Sequence, residues 1–119
     1  VQIGRGTAAK AVVFHYTGGA WHVDRSGQPK LTILAPHPGS VDNAITQVAI
    51  TMKAKTPLVQ SALWVDGVEL QEKGGGLTPT NGTIYGAPAL ALAKGVHTVV
   101  GYARTAGHGS AVAWSYTVR

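Results

Sequence analysis

The sequence predicts an all-β protein: a sandwich of about seven short strands, preceded by a β-hairpin. Three observations carry this. Sixteen glycines and six prolines punctuate short runs rich in Val, Ile, Thr and aromatic residues. No window keeps an amphipathic helical period for three turns. Asp66-Gly67, between "LVQSALWV" and "VELQEK", is the preferred sequence of a type I′ hairpin turn.

In chain order, "AKAVVFHY" (9–16) and "AWHVDR" (20–25) flank "TGG" and read as the N-terminal hairpin, an extension over residues 1–29. The sandwich is expected over residues 30–119. "KLTILAP" (30–36) is extended up to its proline, and "HPGS" supplies turn residues. In "ITQVAITMKAK" (45–55), Val48, Ile50 and Met52 share one face. Two strands meet at Asp66-Gly67. "GGGLTPTNG" (74–82) reads as irregular, and "TIYGAPALAL" (83–92) equally as one extended strand bent near Gly86 and Pro88 or as two short edge strands, an edge that Pro88 guards by removing a donor. "ALALAK" (89–94) is the one place for a helical turn. "GVHTVVGYAR" (95–104) and "SAVAWSYTV" (110–118) close the domain as a hairpin through the five residues "TAGHG".

Composition narrows the function. One hundred and nineteen residues suit one compact domain, and the absence of cysteine excludes disulfides, thiolate metal sites and Cys nucleophiles. Ten basic against five acidic residues give +5, but the basic residues are scattered, so no nucleic-acid partner is expected. No apolar run reaches the length of a membrane span, and the opening "VQIGRG" reads as a processed or excised piece of something longer.

The segments "LTILAPHPGS", "LWVDGVEL" and "GVHTVVGYARTAGHGSAVAWSYTV" together resemble the bacterial immunoglobulin-like modules of secreted and cell-surface proteins. Those modules show a Pro-Gly-Ser entry after the first strand, a V-D-G hairpin, a G-x-H-x-V-x-x-x-A strand and a closing W-S-x-T-V. The resemblance covers residues 30–119. It implies an immunoglobulin-like β-sandwich outside the cell or on its surface, serving as spacer, protein-interaction domain, carbohydrate binder or accessory domain. Arg104 stands where many relatives carry Asp, so a calcium site using that Asp is not implied. The hairpin itself is similar to the Y-x-G-G-x-W hairpin of β-propeller blades, although one hairpin builds no propeller.

Each candidate site has a packing role to set against it. His97, Trp114, Tyr116 and Val118 read as core, with the His97 imidazole bonded to a loop carbonyl. None of Ser26, Ser40, Ser61, Ser110 and Ser115 lies in a nucleophile elbow, and Glu69 and Glu72, three apart in a strand, fall on opposite faces. The chain is therefore expected not to be an enzyme. No cofactor and no metal are expected, since His15, His22, His37 and His108 lack tight zinc spacings; the best place for an ion is the strand bearing His22 and Asp24. Binding is the open alternative. Tyr16, Trp21, Trp64 and Tyr85 are the rings not committed to the core, with His22 and Asp24 beside them. Trp64 reads more readily as the core tryptophan of the third sandwich strand. The expected function is a non-catalytic spacer or protein-interaction module, with a carbohydrate-binding module as alternative. The partners implied are another domain of a larger protein, a separate protein or a cell-surface glycan.

Overall fold

A computed structural model describes residues 1–75 and 78–119. Among the described residues thirteen strands follow one another: β1 (Gln2–Ile3), β2 (Lys10–Ala11), β3 (Phe14–Thr17), β4 (Ala20–Val23), β5 (Lys30–Ala35), β6 (Val41–Asp42), β7 (Val48–Lys53), β8 (Leu58–Val65), β9 (Val68–Glu69), β10 (Lys73–Gly75), β11 (Asn81–Gly86), β12 (Gly95–Thr105) and β13 (Gly109–Val118). A 3-10 turn, Gly6–Ala8, separates β1 from β2. Among the described residues no helix is long and apolar enough to cross a membrane.

The strands from β5 onward form two sheets, ordered β10-β11-β7-β5 and β6-β13-β12-β8-β9. The first is the D-E-B-A sheet of immunoglobulin domains, and the second holds G, F, C and a short C′. This strand order makes the chain an immunoglobulin-like β-sandwich. All pairings are antiparallel except β6 with β13, where Thr117 faces Val41 and Val118 faces Asp42.

The core lies between the sheets and follows the period-2 pattern of the sequence. Val48, Ile50 and Met52 of β7 are buried, as are Leu63 and Val65 of β8, Ile84 of β11, Val99 and Ala103 of β12, and Trp114, Tyr116 and Val118 of β13. Gly101 belongs to the same face of β12. A Cβ there would come within 2.9 Å of Ile50 Cδ1, so the absent side chain lets β12 and β7 approach closely. At Asp66-Gly67 both residues have positive φ, 51° and 80°, as the type I′ turn requires.

Several expectations are corrected. The closing turn is three residues, Ala106 to His108, because Thr105 and Gly109 already pair within the sheet and its turn. The segment 83–92 is not an edge: β11 ends at Gly86 and lies between β7 and β10, with Pro88 beyond it. Gly74, Asn81 and Gly82, read as irregular, are strand residues, since the ladder needs only their backbone groups; Gly76 and Leu77 lie outside the described residues. Residues 89–94 contain no helical turn. Nor is 9–16 one strand: Lys10 and Ala11 pair back with Ile3 and Gln2, and only Phe14–Thr17 joins the hairpin.

Trp64 is the clearest reversal. Leu63 and Val65 take the core face of β8, which turns Trp64 outward, half-buried, with its ring 6.3 Å from that of Tyr102. The core tryptophan is Trp114, on the last strand. Its indole N–H donates to the Pro36 carbonyl at 3.1 Å.

The segment before the hairpin lies against the outer face of the five-stranded sheet, with the 3-10 turn touching β12 and β13 and β2 touching β13. Val1, Val12, Val13, Phe14 and Trp21 share a recess of about 350 Å³ with Trp64, Val100 and Tyr102. Gly6 N–H donates to Thr98 Oγ1 at 2.5 Å. This cover explains why Thr98 and Val100, on the outward face of β12, are as buried as the core residues beside them.

Candidate functional site

The hairpin β3–β4 turns through Gly18 and Gly19, both at positive φ, 59° and 80°, in a two-residue loop whose backbone twist matches the strands. In its register Tyr16 faces Trp21 and His15 faces His22. Facing residues of an antiparallel pair point to the same side, so one side carries the aromatic pair and the other the two histidines. Tyr16 is 60% and Trp21 67% exposed, and their rings meet edge to face at 5.3 Å and 65°.

Beyond the end of β4, Asp24 ties the hairpin to the sandwich. Its N–H donates to the Val13 carbonyl at 2.8 Å. Its Oδ1 accepts from Ser26 N–H at 2.9 Å and Ser26 Oγ–H at 2.6 Å. Its Oδ2 accepts from His15 Nε2 at 2.5 Å and from the N–H of Gly109, 85 residues away, at 2.8 Å. His108 Nδ1 stands 3.5 Å from the same oxygen. Burial alone would push the Asp24 carboxyl up. The bonds from Ser26, Gly109 and His15 outweigh it and hold the group well below the usual carboxylate range. Packing at this junction is close: a Cβ on Gly109 would lie 2.9 Å from Val13 Cγ1.

A second clasp closes the other end of the sandwich. His97 Nδ1 donates to Asp66 Oδ2 at 2.5 Å, and Nε2 donates to the Ala93 carbonyl at 2.6 Å; Asp66 Oδ1 also takes the Thr98 N–H at 2.9 Å. His97 thus stands near the start of the F strand, where immunoglobulin domains carry a tyrosine bonded to backbone a few residues upstream. Two acceptors on one ring favour the imidazolium, the only form with both nitrogens protonated. Burial lowers the affinity of the ring for its proton, but the bonds to Asp66 and Ala93 win and raise its pKa. A raised folded-state value means that the stabilisation is complete below the unfolded imidazole pKa of about 6.5 and is lost as pH rises through the folded value. Urea midpoints are therefore expected to fall from mildly acidic to alkaline pH. In His97→Gln that fall should be largely gone, and an unchanged slope would contradict the clasp.

A cleft of about 600 Å³ opens between the sheet ends, with Tyr85 on one wall and Asp66, Glu69 and Lys73 among its polar lining. Glu72 lies outside that lining. Its Oε1 accepts from Ser61 Oγ at 2.9 Å, and its Oε2 is buried without a partner among the described residues. Burial raises its carboxyl.

The six residues singled out in the sequence thus divide. Tyr16 and Trp21 sit on one side of the exposed hairpin and His22 on the other, and Asp24 sits at its base. Trp64 shares the hydrophobic recess with Trp21, and Tyr85 lines the separate cleft. What the sequence reading missed is His15 and His108 converging on Asp24. Only the Asp24-x-Ser26 turn has a local signal.

No protein-family model and no curated protein matches the chain. Among solved structures the chain is similar to a crystal structure of an immunoglobulin-domain complex of titin and obscurin-like 1. The identity is 20% and the TM-score 0.44, over 75% of this chain and 93% of that one. The fold assignment rests on strand order and pairing.

Proposed function

We propose that the chain is a non-catalytic immunoglobulin-like module of a secreted or surface-attached bacterial protein, acting as a spacer that also binds protein through its N-terminal hairpin. The observation that carries this reading is the Tyr16–Trp21 pair, more than half exposed on a hairpin whose base is held by Asp24. Exposed tyrosine and tryptophan on a rigid support are the residues that dominate protein–protein binding energy.

A carbohydrate-binding module is the competing reading, favoured by the same exposed rings. Stacking on a sugar needs a flat aromatic face, and two rings inclined at 65° offer no shared plane. The expected outcome is a flat response on a glycan array and no saturable change in tryptophan fluorescence with any glycan. Saturable binding that Trp21→Ala abolishes would replace the protein-binding reading with the sugar one. In cells producing the protein, a photo-cross-linking residue at position 16 is expected to join the hairpin to a polypeptide. Cross-links to saccharide alone would overturn that expectation.

A further inference from the structure

We propose that His15, Asp24 and His108 form a binding site for one divalent transition-metal ion, of which Zn²⁺ is the representative, and that the ion fastens the hairpin to the turn between β12 and β13. One ligand atom from each residue lies within 4.8 Å of the other two. Zinc binds imidazole nitrogen and carboxylate oxygen at about 2.0–2.2 Å, which places neighbouring donors of a tetrahedral site about 3.4 Å apart. His108 Nδ1 and Asp24 Oδ2 already stand at 3.5 Å. His15 Nε2, at 2.5 Å from the same oxygen, needs to withdraw by about 1 Å to reach that spacing. Its side chain is 37% exposed and has room to do so. The proton it shares with Asp24 leaves Nε2, to Nδ1 or to water, as the ion takes its place.

The donor set selects the ion. Two imidazoles with a single carboxylate suit zinc, nickel, copper or iron, whereas calcium and magnesium require several oxygens. The carboxylate is already held in place, since Ser26 bonds Oδ1 from two sides and the Gly109 N–H bonds Oδ2. Such outer partners fix a ligand before the ion arrives. His108 is 56% exposed, so an ion enters from solvent and keeps its remaining positions for water. His22, although it faces His15 across the hairpin, is not part of the group. The ligands come from both ends of the chain, which is why sequence spacing argued against a metal.

Isothermal titration of the 119-residue chain, carrying no histidine tag, with Zn²⁺ tests the site. The expected result is one ion per chain, a raised melting temperature, and binding weakened at least about tenfold in His108→Ala, whose side chain lies on an exposed turn. His15→Ala should weaken it similarly, whereas His22→Ala and His37→Ala should leave it unchanged. Folding of each variant is checked by circular dichroism, and if one of the two ligand variants fails to fold, the other decides. No saturable binding by the wild-type chain would overturn the proposal, as would equal affinity in His108→Ala and wild type.

Discussion

Trp114→Ala is expected to lower the free energy of unfolding by about 3–5 kcal/mol, measured by urea denaturation with an unchanged m-value. Three effects add. The indole, only 5% exposed, leaves a cavity among Val99, Tyr116 and the facing sheet that these neighbours fill only in part. Its N–H to the Pro36 carbonyl is lost, and that buried carbonyl is left without its donor. The bond also ties β13 to the end of β5, so its loss loosens the sheet-to-sheet junction. Trp64→Ala should cost less, because the outer-face ring is only half-buried. If Trp64→Ala proved the more damaging, the assignment of inner and outer faces on β8 and β13 would be wrong.

Asp24→Ala is the second large effect, expected to cost about 3 kcal/mol or more, because hydrogen bonds to a charged group contribute about 1.5–3 kcal/mol each and their former donors recover only part of this from water. The carboxylate is 3% exposed and accepts from Ser26, His15 and Gly109. Removing it detaches the base of the hairpin from β13 while leaving the core between the sheets untouched. The effect has a pH signature. The carboxyl is depressed in the folded state, so its contribution is complete above the unfolded value of about 3.9 and is lost as pH falls below that, through the folded value. Wild type should therefore lose stability between pH about 4 and 2 more steeply than Asp24→Ala. Parallel acid profiles would show that Asp24 carries no such charge-dependent bond.

Much of the sandwich was legible because its signals are local. The alternation of Val48, Ile50 and Met52, the Asp66-Gly67 turn sequence, and the two apolar runs on either side of Ala106–His108 each mark strands without reference to the rest of the chain. The seven strands expected from Lys30 onward are all present. The sheets add β6 and β10, two and three residues long. Their pairing is set by neighbours already in place, and a Lys-Gly-Gly segment carries no side-chain pattern that announces it. Trp64 escapes prediction for a related reason. On a strand where Ala62, Trp64 and Leu63, Val65 are all apolar, alternation cannot choose the inner face, and the outward tryptophan is partly covered by Tyr102 and by apolar residues of the N-terminal segment.

The candidate site was less legible than the fold. Tyr16, Trp21, His22 and Asp24 stand out because they cluster in sequence around one turn. His108 joins them only through the docking of that hairpin beside β13, a contact across 85 residues between Asp24 and Gly109 for which no periodicity exists. His97 is the opposite case: its place at the start of β12, four residues after Ala93, made the bond to a loop carbonyl foreseeable.

Everything assigned to the hairpin depends on its being a fixed part of the module that presents Tyr16 and Trp21 in one orientation. Amide hydrogen exchange measures this directly. The Asp24 and Gly109 amides, bonded to the Val13 carbonyl and to Asp24 Oδ2, should be protected in wild type along with Val99 and Trp114 of the core strands. In Asp24→Ala the hairpin and Gly109 should exchange quickly while the core strands stay protected. Rapid exchange across residues 14–24 in the wild-type chain, with β12 and β13 still protected, would contradict a docked hairpin and remove the support for both the binding surface and the metal site.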